Sequence, residues 1–196
     1  WMFDQFYAAS PVCSPSRASI LTGKTPQTIG LEKVIKPGRE DEQPGEISAH
    51  TTIATVLKAA GYQTACIGKW HLGYLAKDHP TNNGFEYFAG FLNGHIDYIS
   101  HTDPNGKFHL EKAGKLWQVK KNQHLTEVLT DAAIEQVNNM STTPYFMMVS
   151  YANPHAPILL PGEDAIFQGQ GKEKNDSPER YQKLVAVLDT EIGKLV

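Results

Sequence analysis

This chain of 196 residues has few cysteines, no large excess of positive or negative charge, and no long apolar run. The formal net charge of −3 provides no basic surface for nucleic acid or for an anionic membrane. No apolar run approaches the roughly 20 residues that a membrane-spanning helix needs. No glycine-rich dinucleotide fingerprint follows a strand-like run, so nucleotide binding is not supported. The two cysteines, Cys13 and Cys66, permit one disulfide but exclude a disulfide framework.

The composition that is present suits one folded domain. Hydrophobic residues make up 40% of the chain and charged residues 20%, which is ordinary for a domain with a core of its own. The chain begins at Trp1 without an initiator Met and ends at Val196 within a helical pattern. We therefore expect an internal fragment of a longer protein, whose compartment cannot be deduced from its ends.

Helical and strand-like patterns alternate along the chain. Ser14 and Thr52 are candidate helix caps, and Gly23 and Gly61 are candidate helix ends. Residues 84–124 predict loops and short antiparallel strands. Helices are predicted at 16–22, 53–60, 125–139 and from 178 onward, and buried strands at 62–67 and 145–151. The alternation predicts an α/β fold with a mostly parallel sheet flanked by helices.

Three polar clusters lie where an α/β sheet gathers its ligands, beyond predicted strands or at the start of a helix. Cys13 would lie just before a helix N-terminus with Arg17 one turn inside, a setting that favours a thiolate or a bound oxyanion. Lys69 and His71 alternate on an extended segment and can face one side, and His155 lies in a loop stiffened by flanking prolines. A potential nucleophile, fixed cations and histidines suit attack on an anionic ester.

Each cluster also has a structural interpretation. A cysteine before a helix is more often a buried structural residue than a nucleophile, and Cys66, in a strand-like run, is expected to be a small buried apolar residue. Lys69 could be solvated in an ordinary turn, and a histidine beside prolines is usually a hydrogen-bonded loop residue. Taken separately, the clusters leave open a structural Rossmann-like domain.

Two longer motifs carry a resemblance to a known family. Residues 13–17 (CSPSR), followed by 21–23 (LTG), are similar to the first sulfatase signature, and residues 61–64 (GYQT), followed by 68–73 (GKWHLG), to the second. Their order and spacing agree, and further similar blocks occur at 84–86, 154–157 and 188–193. The chain resembles the formylglycine-dependent, arylsulfatase-like sulfatases of the alkaline phosphatase superfamily over nearly its whole length. The resemblance implies that residues 1–196 form part of the sulfatase catalytic domain, without its N-terminal metal-binding segment and its C-terminal part.

The resemblance implies a role for each residue of the clusters. Cys13 would be oxidised to formylglycine, whose hydrate attacks the sulfur of the ester, and Arg17 would orient and stabilise that diol. Lys69 would bind sulfate oxygens and offset charge in the transition state. His71 would hydrogen-bond the second hydroxyl and assist its deprotonation when the aldehyde returns. His155 would bind the ester or protonate the leaving alcohol.

Substrate and cofactor expectations follow from the same resemblance. The expected reaction is hydrolysis of sulfate esters of a small molecule or a carbohydrate, with specificity set partly by residues 75–124 and with His95 among the substrate contacts. The family requires a divalent cation, calcium or magnesium, which formylglycine at Cys13 would help to bind. The carboxylate ligands belong to motifs that these 196 residues lack, so we expect them outside this chain and expect the isolated chain to be inactive. A formylglycine-generating enzyme would be the maturation partner, and the compartment would be periplasmic, secreted or lysosomal.

Two other functions remain open from the sequence. A phosphoesterase or phosphonate hydrolase of the same superfamily would share the fold, and the ratio of sulfatase to phosphatase activity would distinguish it. A non-catalytic relative that binds anions or sugars would lack formylglycine even when made together with the maturation enzyme. The intact Cys13, Arg17, Lys69 and His71 favour a catalytic protein.

Overall fold

The computed structural model describes residues 3–39, 45–140, 143–166 and 177–196. Within these ranges, helices and strands alternate as the sequence predicts. The helices are α1 (Cys13–Thr22), α2 (Pro26–Ile29), α3 (Ile53–Ala59), α4 (Leu125–Asn139) and α5 (Pro178–Ile192). The strands are β1 (Gln63–Lys69), β2 (Tyr87–Phe91), β3 (Glu111–Lys112), β4 (Lys115–Leu116) and β5 (Tyr145–Ser150).

The described strands form one sheet in the order β4-β3-β2-β1-β5. β1 lies between β2 and β5 and is parallel to both, so the three long strands direct their carboxyl ends the same way. The two-residue strands β3 and β4 pair antiparallel beyond β2. The predicted strands at 62–67 and 145–151 are therefore confirmed as parallel neighbours in one α/β sheet.

One strand lies where the sequence suggested only loops and short antiparallel strands. β2 is parallel and mostly buried, so the prediction was wrong for residues 87–91, although it was right for the β3–β4 hairpin. Gly90 weakened the strand pattern, because a glycine inside a strand has no side chain to pack. The same glycine allows a close approach in the structure: a Cβ on Gly90 would lie 2.0 Å from the carbonyl oxygen of Gly68 on β1.

Helix α1 begins earlier than the sequence indicated. Cys13 is its first residue, whereas the prediction placed a Ser14 cap before a helix at 16–22. Ser14 is buried inside the first turn, where its Oγ accepts a hydrogen bond from the Ile35 amide at 3.1 Å, so it does not act as a cap. The helix ends at the left-handed Gly23, as predicted. Cys13 therefore belongs to the helix start, where backbone N–H groups have no partner within the helix.

The segment that leads into β1 follows the prediction, but the strand is longer. Thr52 caps α3, because its hydroxyl accepts a hydrogen bond from the Thr55 amide at 3.1 Å. β1 continues past its predicted end at Ile67 and includes Lys69. Lys69 is therefore held in the sheet rather than in the loop that follows.

Two apolar clusters cover the two faces of the sheet. Successive residues of β1 point to opposite faces, so Ile67 joins a cluster with α4 and α5, while Cys66 joins a cluster with α1 and α3. Cys66 is 0% exposed, which confirms it as a buried residue, and this burial raises the pKa of its thiol to about 12. Both cysteines are free thiols. Helix layers on both faces confirm the predicted α/β architecture.

Helix α5 confirms the helix predicted from residue 178, but its apolar stripe is only partly covered. Leu184 is fully buried, whereas Tyr181, Val185 and Ile192 are 47%, 40% and 42% exposed. The described part of the chain thus leaves an apolar surface on this helix. None of the helices in the described ranges is long and apolar enough to cross a bilayer.

Candidate active site

The carboxyl ends of β1 and β5 meet the start of α1 at one edge of the sheet. Because β1 and β5 are parallel, the segments that follow them and carry His71 and His155 emerge on the same side. A cavity of about 480 Å³, here called the reactive cavity, opens there, and its walls include Cys13, His71, His95 and His155. Lys69 lies at the end of β1, beside this cavity. The predicted convergence of Cys13, Lys69, His71 and His155 at this edge is confirmed.

Arg17 ties α1 to both strand ends. Its Nη1 donates a hydrogen bond to the backbone carbonyl of Lys69 at 2.7 Å and another to the Ser150 Oγ at 2.6 Å. Burial lowers the pKa of Arg17, and the nearby Cys13 acts in the opposite direction. Arginine remains charged nonetheless, because its ordinary pKa is so high. Sequence reasoning missed Ser150, whose signal was a hydroxyl at the end of an apolar strand.

Lys69 places a second cation at the end of β1. The residue is 3% exposed. Burial, and then the neighbouring Arg17, lower its pKa to about 8, while Cys13 acts in the opposite direction. None of the ion pairs in the described ranges involves Arg17 or Lys69. An anion that entered the reactive cavity would therefore stabilise the charged form of Lys69.

The imidazole of His71 is fixed with one nitrogen left unpaired. Its Nε2 donates a hydrogen bond to the carbonyl oxygen of Ile35 at 3.0 Å, so Nδ1 of the neutral ring carries the lone pair. Burial, and then the charge of Lys69, lower the pKa of His71 to about 3, which keeps the ring neutral. Nδ1 is buried and has no hydrogen-bond partner among the described residues. Because an unpaired buried acceptor is costly, Nδ1 is suited to a donor on a ligand or on a modified neighbour.

The backbone at Gly94 packs closely against the same ring. A Cβ on Gly94 would lie 2.6 Å from Cε1 and 2.8 Å from Nε2 of His71, closer than real side chains approach. His71 itself has a φ of 57°, in the left-handed region that a histidine seldom adopts. The residue at 94 must therefore be small for this ring position to exist. Sequence reasoning missed this role, although the run Asn-Gly-His was noted for His95.

His155 and His95 lie against each other in the wall of the reactive cavity. Their ring centroids are 5.6 Å apart and their planes differ by 12°. Nδ1 of His155 donates to the carbonyl oxygen of Ala156 at 2.6 Å, so Nε2 is the nitrogen that can exchange a proton with a ligand. Burial lowers the pKa of both imidazoles.

Tyr98 holds the loop that carries His155. Its hydroxyl donates a hydrogen bond to the backbone carbonyl of His155 at 3.0 Å, and its ring stacks on His124 with centroids 5.1 Å apart. The Thr126 hydroxyl donates to the Asn153 Oδ1 at 2.6 Å, which ties the start of the loop to α4. Sequence reasoning missed Tyr98, which lies in the stretch that it could not assign.

The residues around Cys13 do not form a calcium site by themselves. Arg17 and Lys69 are cations, and calcium prefers carboxylate and carbonyl oxygens to imidazole. In the part of the chain that the structure describes, no group of at least three His, Cys, Asp or Glu side chains is placed to hold a metal ion. The expectation that the cation ligands lie outside this chain stays a prediction.

Known proteins resemble this chain over nearly all of its length. The family model described as Sulfatase matches residues 1–196. Arylsulfatase G of Rattus norvegicus is 45% identical over an alignment that covers 98% of this chain and 40% of that protein. N-acetylgalactosamine-6-sulfatase of Sus scrofa is 30% identical, over 100% of this chain and 39% of that protein. The chain thus spans about two fifths of the length of these relatives.

Solved structures share the fold. Ps i-CgsB in complex with k-i-k-neocarrahexaose has a TM-score of 0.74 and 29% identity, over 97% of this chain and 45% of that protein. BT4656 in complex with its substrate D-glucosamine-2-N,6-O-disulfate has a TM-score of 0.55 and 31% identity, over 80% of this chain and 28% of that protein.

Proposed function

The chain belongs to the sulfatase family, and we propose that the protein containing it hydrolyses sulfate esters through a formylglycine made from Cys13. One observation carries the proposal: Cys13 shares a cavity with the unpaired Nδ1 of His71, beside two cations without counter-ions in the described ranges. A sulfate group would supply the missing negative charge. The hydroxyl of a hydrated aldehyde at residue 13 would supply the missing donor.

The proposed reaction begins at the hydrated aldehyde, which carries two hydroxyl groups on one carbon. One hydroxyl oxygen bonds to sulfur while the bond from sulfur to the alcohol oxygen breaks, and Nε2 of His155 gives the alcohol its proton. The attacking hydroxyl releases its own proton to solvent, from which His155 is protonated again. The product is a sulfated diol at residue 13.

The sulfated diol then breaks down without a second attack on sulfur. The remaining hydroxyl gives its proton to Nδ1 of His71, the aldehyde C=O forms again, and the C–O bond to sulfate breaks. Two adjacent cations, Arg17 and Lys69, stabilise the charge on the sulfate oxygens, while the bound anion favours protonation of His71. Once sulfate has left, His71 releases its proton to solvent and water hydrates the aldehyde. Because the described residues do not fit calcium by themselves, we assign no step to that ion.

Sulfated carbohydrates are the substrate class that we propose. The support is the printed substrate of one relative, D-glucosamine-2-N,6-O-disulfate, and the names of others such as N-acetylgalactosamine-6-sulfatase. A formylglycine-generating enzyme as maturation partner, calcium or magnesium as cofactor, and a periplasmic, secreted or lysosomal compartment belong to the same proposal.

The full-length protein, produced together with a formylglycine-generating enzyme, provides the test. Mass spectrometry of the tryptic peptide that ends at Arg17 should show loss of the Cys13 sulfur. The modified protein should hydrolyse 4-nitrophenyl sulfate in calcium buffer, and Cys13→Ala should abolish that activity. Cys66→Ala is the matched control, because this buried cysteine lies in the apolar core, and it should retain activity.

Two outcomes would contradict the proposal. An unmodified Cys13 thiol after co-expression with a competent maturation enzyme would favour a non-catalytic relative. A larger kcat/KM for 4-nitrophenyl phosphate than for 4-nitrophenyl sulfate would favour the phosphoesterase alternative.

A further inference from the structure

A second cavity lies near the reactive cavity, and neighbouring residues of the same two segments line both. This side cavity has a volume of about 350 Å³, and its lining includes Tyr74, Asn93, Asp103, His109 and Glu111. The segments 34–37 and 92–95 contribute to both cavities, with Val34, Gly94 and His95 on the reactive side and Pro37, Leu92 and Asn93 on the other. A ligand long enough to extend past these two segments would therefore reach the side cavity.

His95 shows how close the two cavities are. It belongs to the segment 92–95, which has Leu92 and Asn93 in the side cavity and Gly94 and His95 in the reactive cavity, so the two cavities are neighbours on either side of this segment. Burial lowers the pKa of His95 most, His155 and Lys69 act in the same direction, and Asp103 of the side cavity acts in the opposite one.

The polar groups of the side cavity are held in fixed positions. Asp103 Oδ2 accepts a hydrogen bond from Nε2 of His109 at 2.9 Å, and its Oδ1 accepts two more from the backbone amides of Asn105 and Lys107, at 2.8 and 3.0 Å. Glu111 Oε1 is 2.7 Å from Nε2 of a further histidine, His79. The side chains of Asp103 and Glu111 are only 15% and 28% exposed. Each carboxylate still has lone pairs that can accept hydroxyl donors.

The charge of the side cavity selects against anions. The two partly buried carboxylates, Asp103 and Glu111, are each bonded to one histidine, and they would repel a sulfate or a carboxylate group, whereas sugar hydroxyls could donate to them. Lys107 also contributes to the lining, but it is exposed and its charge is more strongly screened. Tyr74 adds an aromatic ring against which a sugar ring can pack.

We propose that the side cavity binds an uncharged sugar unit next to the sulfated one. This inference rests on the proposed sulfatase function and specifies its substrate. The substrate is a sulfated oligosaccharide whose neighbouring unit carries no sulfate, and a sulfate on that unit is rejected by Asp103 and Glu111.

The test uses the full-length, formylglycine-containing enzyme and matched sets of substrates. Each set contains a sulfated monosaccharide, the same sugar linked to an unsulfated galactose or N-acetylglucosamine, and the disaccharide sulfated on both units. In the set that the enzyme hydrolyses fastest, kcat/KM should be about 10-fold higher for the singly sulfated disaccharide than for the sulfated monosaccharide or the doubly sulfated disaccharide. Asp103→Asn and Glu111→Gln should each lower the preference for the singly over the doubly sulfated disaccharide by about 3-fold, because the two carboxylates share the roughly 10-fold effect. Glu179→Gln, at an exposed carboxylate of α5, should leave that preference unchanged.

The two variants keep the side-chain shape, and thermal melting verifies their folding. Asp103→Asn retains the oxygen that accepts the two backbone amides, and Glu111→Gln provides an independent second variant. The proposed subsite would be refuted if the wild type showed no preference for the singly sulfated disaccharide, or if the folded variants retained that preference undiminished.

Failure of the proposed function itself would look different. The wild type would then hydrolyse none of the sulfates, 4-nitrophenyl sulfate included. Saturation-transfer NMR with unsulfated N-acetyllactosamine would still test whether the side cavity binds a sugar. Transfer to the sugar that weakens in Asp103→Asn would support it, and absence of transfer in the wild type would overturn it.

Discussion

Gly94→Ala adds one methyl group where the structure has no room for it. The new Cβ would lie 2.6 Å from Cε1 of His71, and the backbone at residue 94 is outside the left-handed region, so the contact alone decides the effect. His71 cannot move away freely, because its Nε2 is hydrogen-bonded to the carbonyl of Ile35. Overpacking of this kind costs about 1–3 kcal/mol. If that energy is relieved by displacing the imidazole, Nδ1 no longer meets the hydroxyl that it should deprotonate.

We expect Gly94→Ala to lower kcat/KM of the full-length enzyme by about 10- to 100-fold, since about 1.4 kcal/mol corresponds to a factor of ten. The assay is hydrolysis of 4-nitrophenyl sulfate, with urea denaturation as the measure of stability. Gly193→Ala is the control: its nearest neighbour would be the Thr190 carbonyl oxygen at 3.4 Å, and it should behave as the wild type. Wild-type kcat/KM in Gly94→Ala would refute the claim that this glycine positions His71.

Further predictions address other contacts of the site. Tyr98→Phe removes the hydroxyl that donates to the His155 carbonyl. It should lower the free energy of unfolding, measured by urea denaturation, by about 0.5–1.5 kcal/mol and should also lower kcat/KM. No change in either quantity would contradict this prediction. Lys69, with a pKa of about 8, loses its charge as the pH rises, so kcat/KM should fall above about pH 8; a flat profile there would contradict a lowered pKa of Lys69. Ser150→Ala removes one acceptor from the Arg17 guanidinium and should cost about 1.5–3 kcal/mol of stability, which thermal melting would detect. The isolated chain, with confirmed formylglycine and added calcium, should not hydrolyse an aryl sulfate; turnover comparable to that of the full-length protein would reveal a cation site within it.

The long parallel strands were predictable where local pattern and burial agree. β5 is an apolar run between turn residues, and β1 follows a capped helix, so both were identified from sequence. β2 was not, because Gly90 and the many polar residues around it obscure a strand whose burial depends on contact with Gly68. The start of α1 was misplaced for a similar reason: the Ser14 hydroxyl binds the amide of Ile35, a partner 21 positions away.

The motifs predicted which residues gather at the reactive cavity, but not their chemical state. The sequence indicated His71 and His155, but not which nitrogen of each ring is free. That depends on the carbonyls of Ile35 and Ala156. The support from Tyr98 was equally hidden, because it joins two loops 57 positions apart that have no periodic pattern. Such contacts exist only in the folded tertiary structure, so no local sequence pattern reveals them.

The hydrogen bonds of Arg17 also bear on the order of events during synthesis. Its two acceptors, on Lys69 and Ser150, lie 52 and 133 positions further along the chain. At the usual 5–20 residues per second, a ribosome needs about 7–27 s to travel from Arg17 to Ser150. Throughout that interval the first turn of α1 lacks the strand that anchors it. If the proposed maturation enzyme acts during synthesis, residues 13–17 would thus be available to it as extended chain for seconds, until β5 docks.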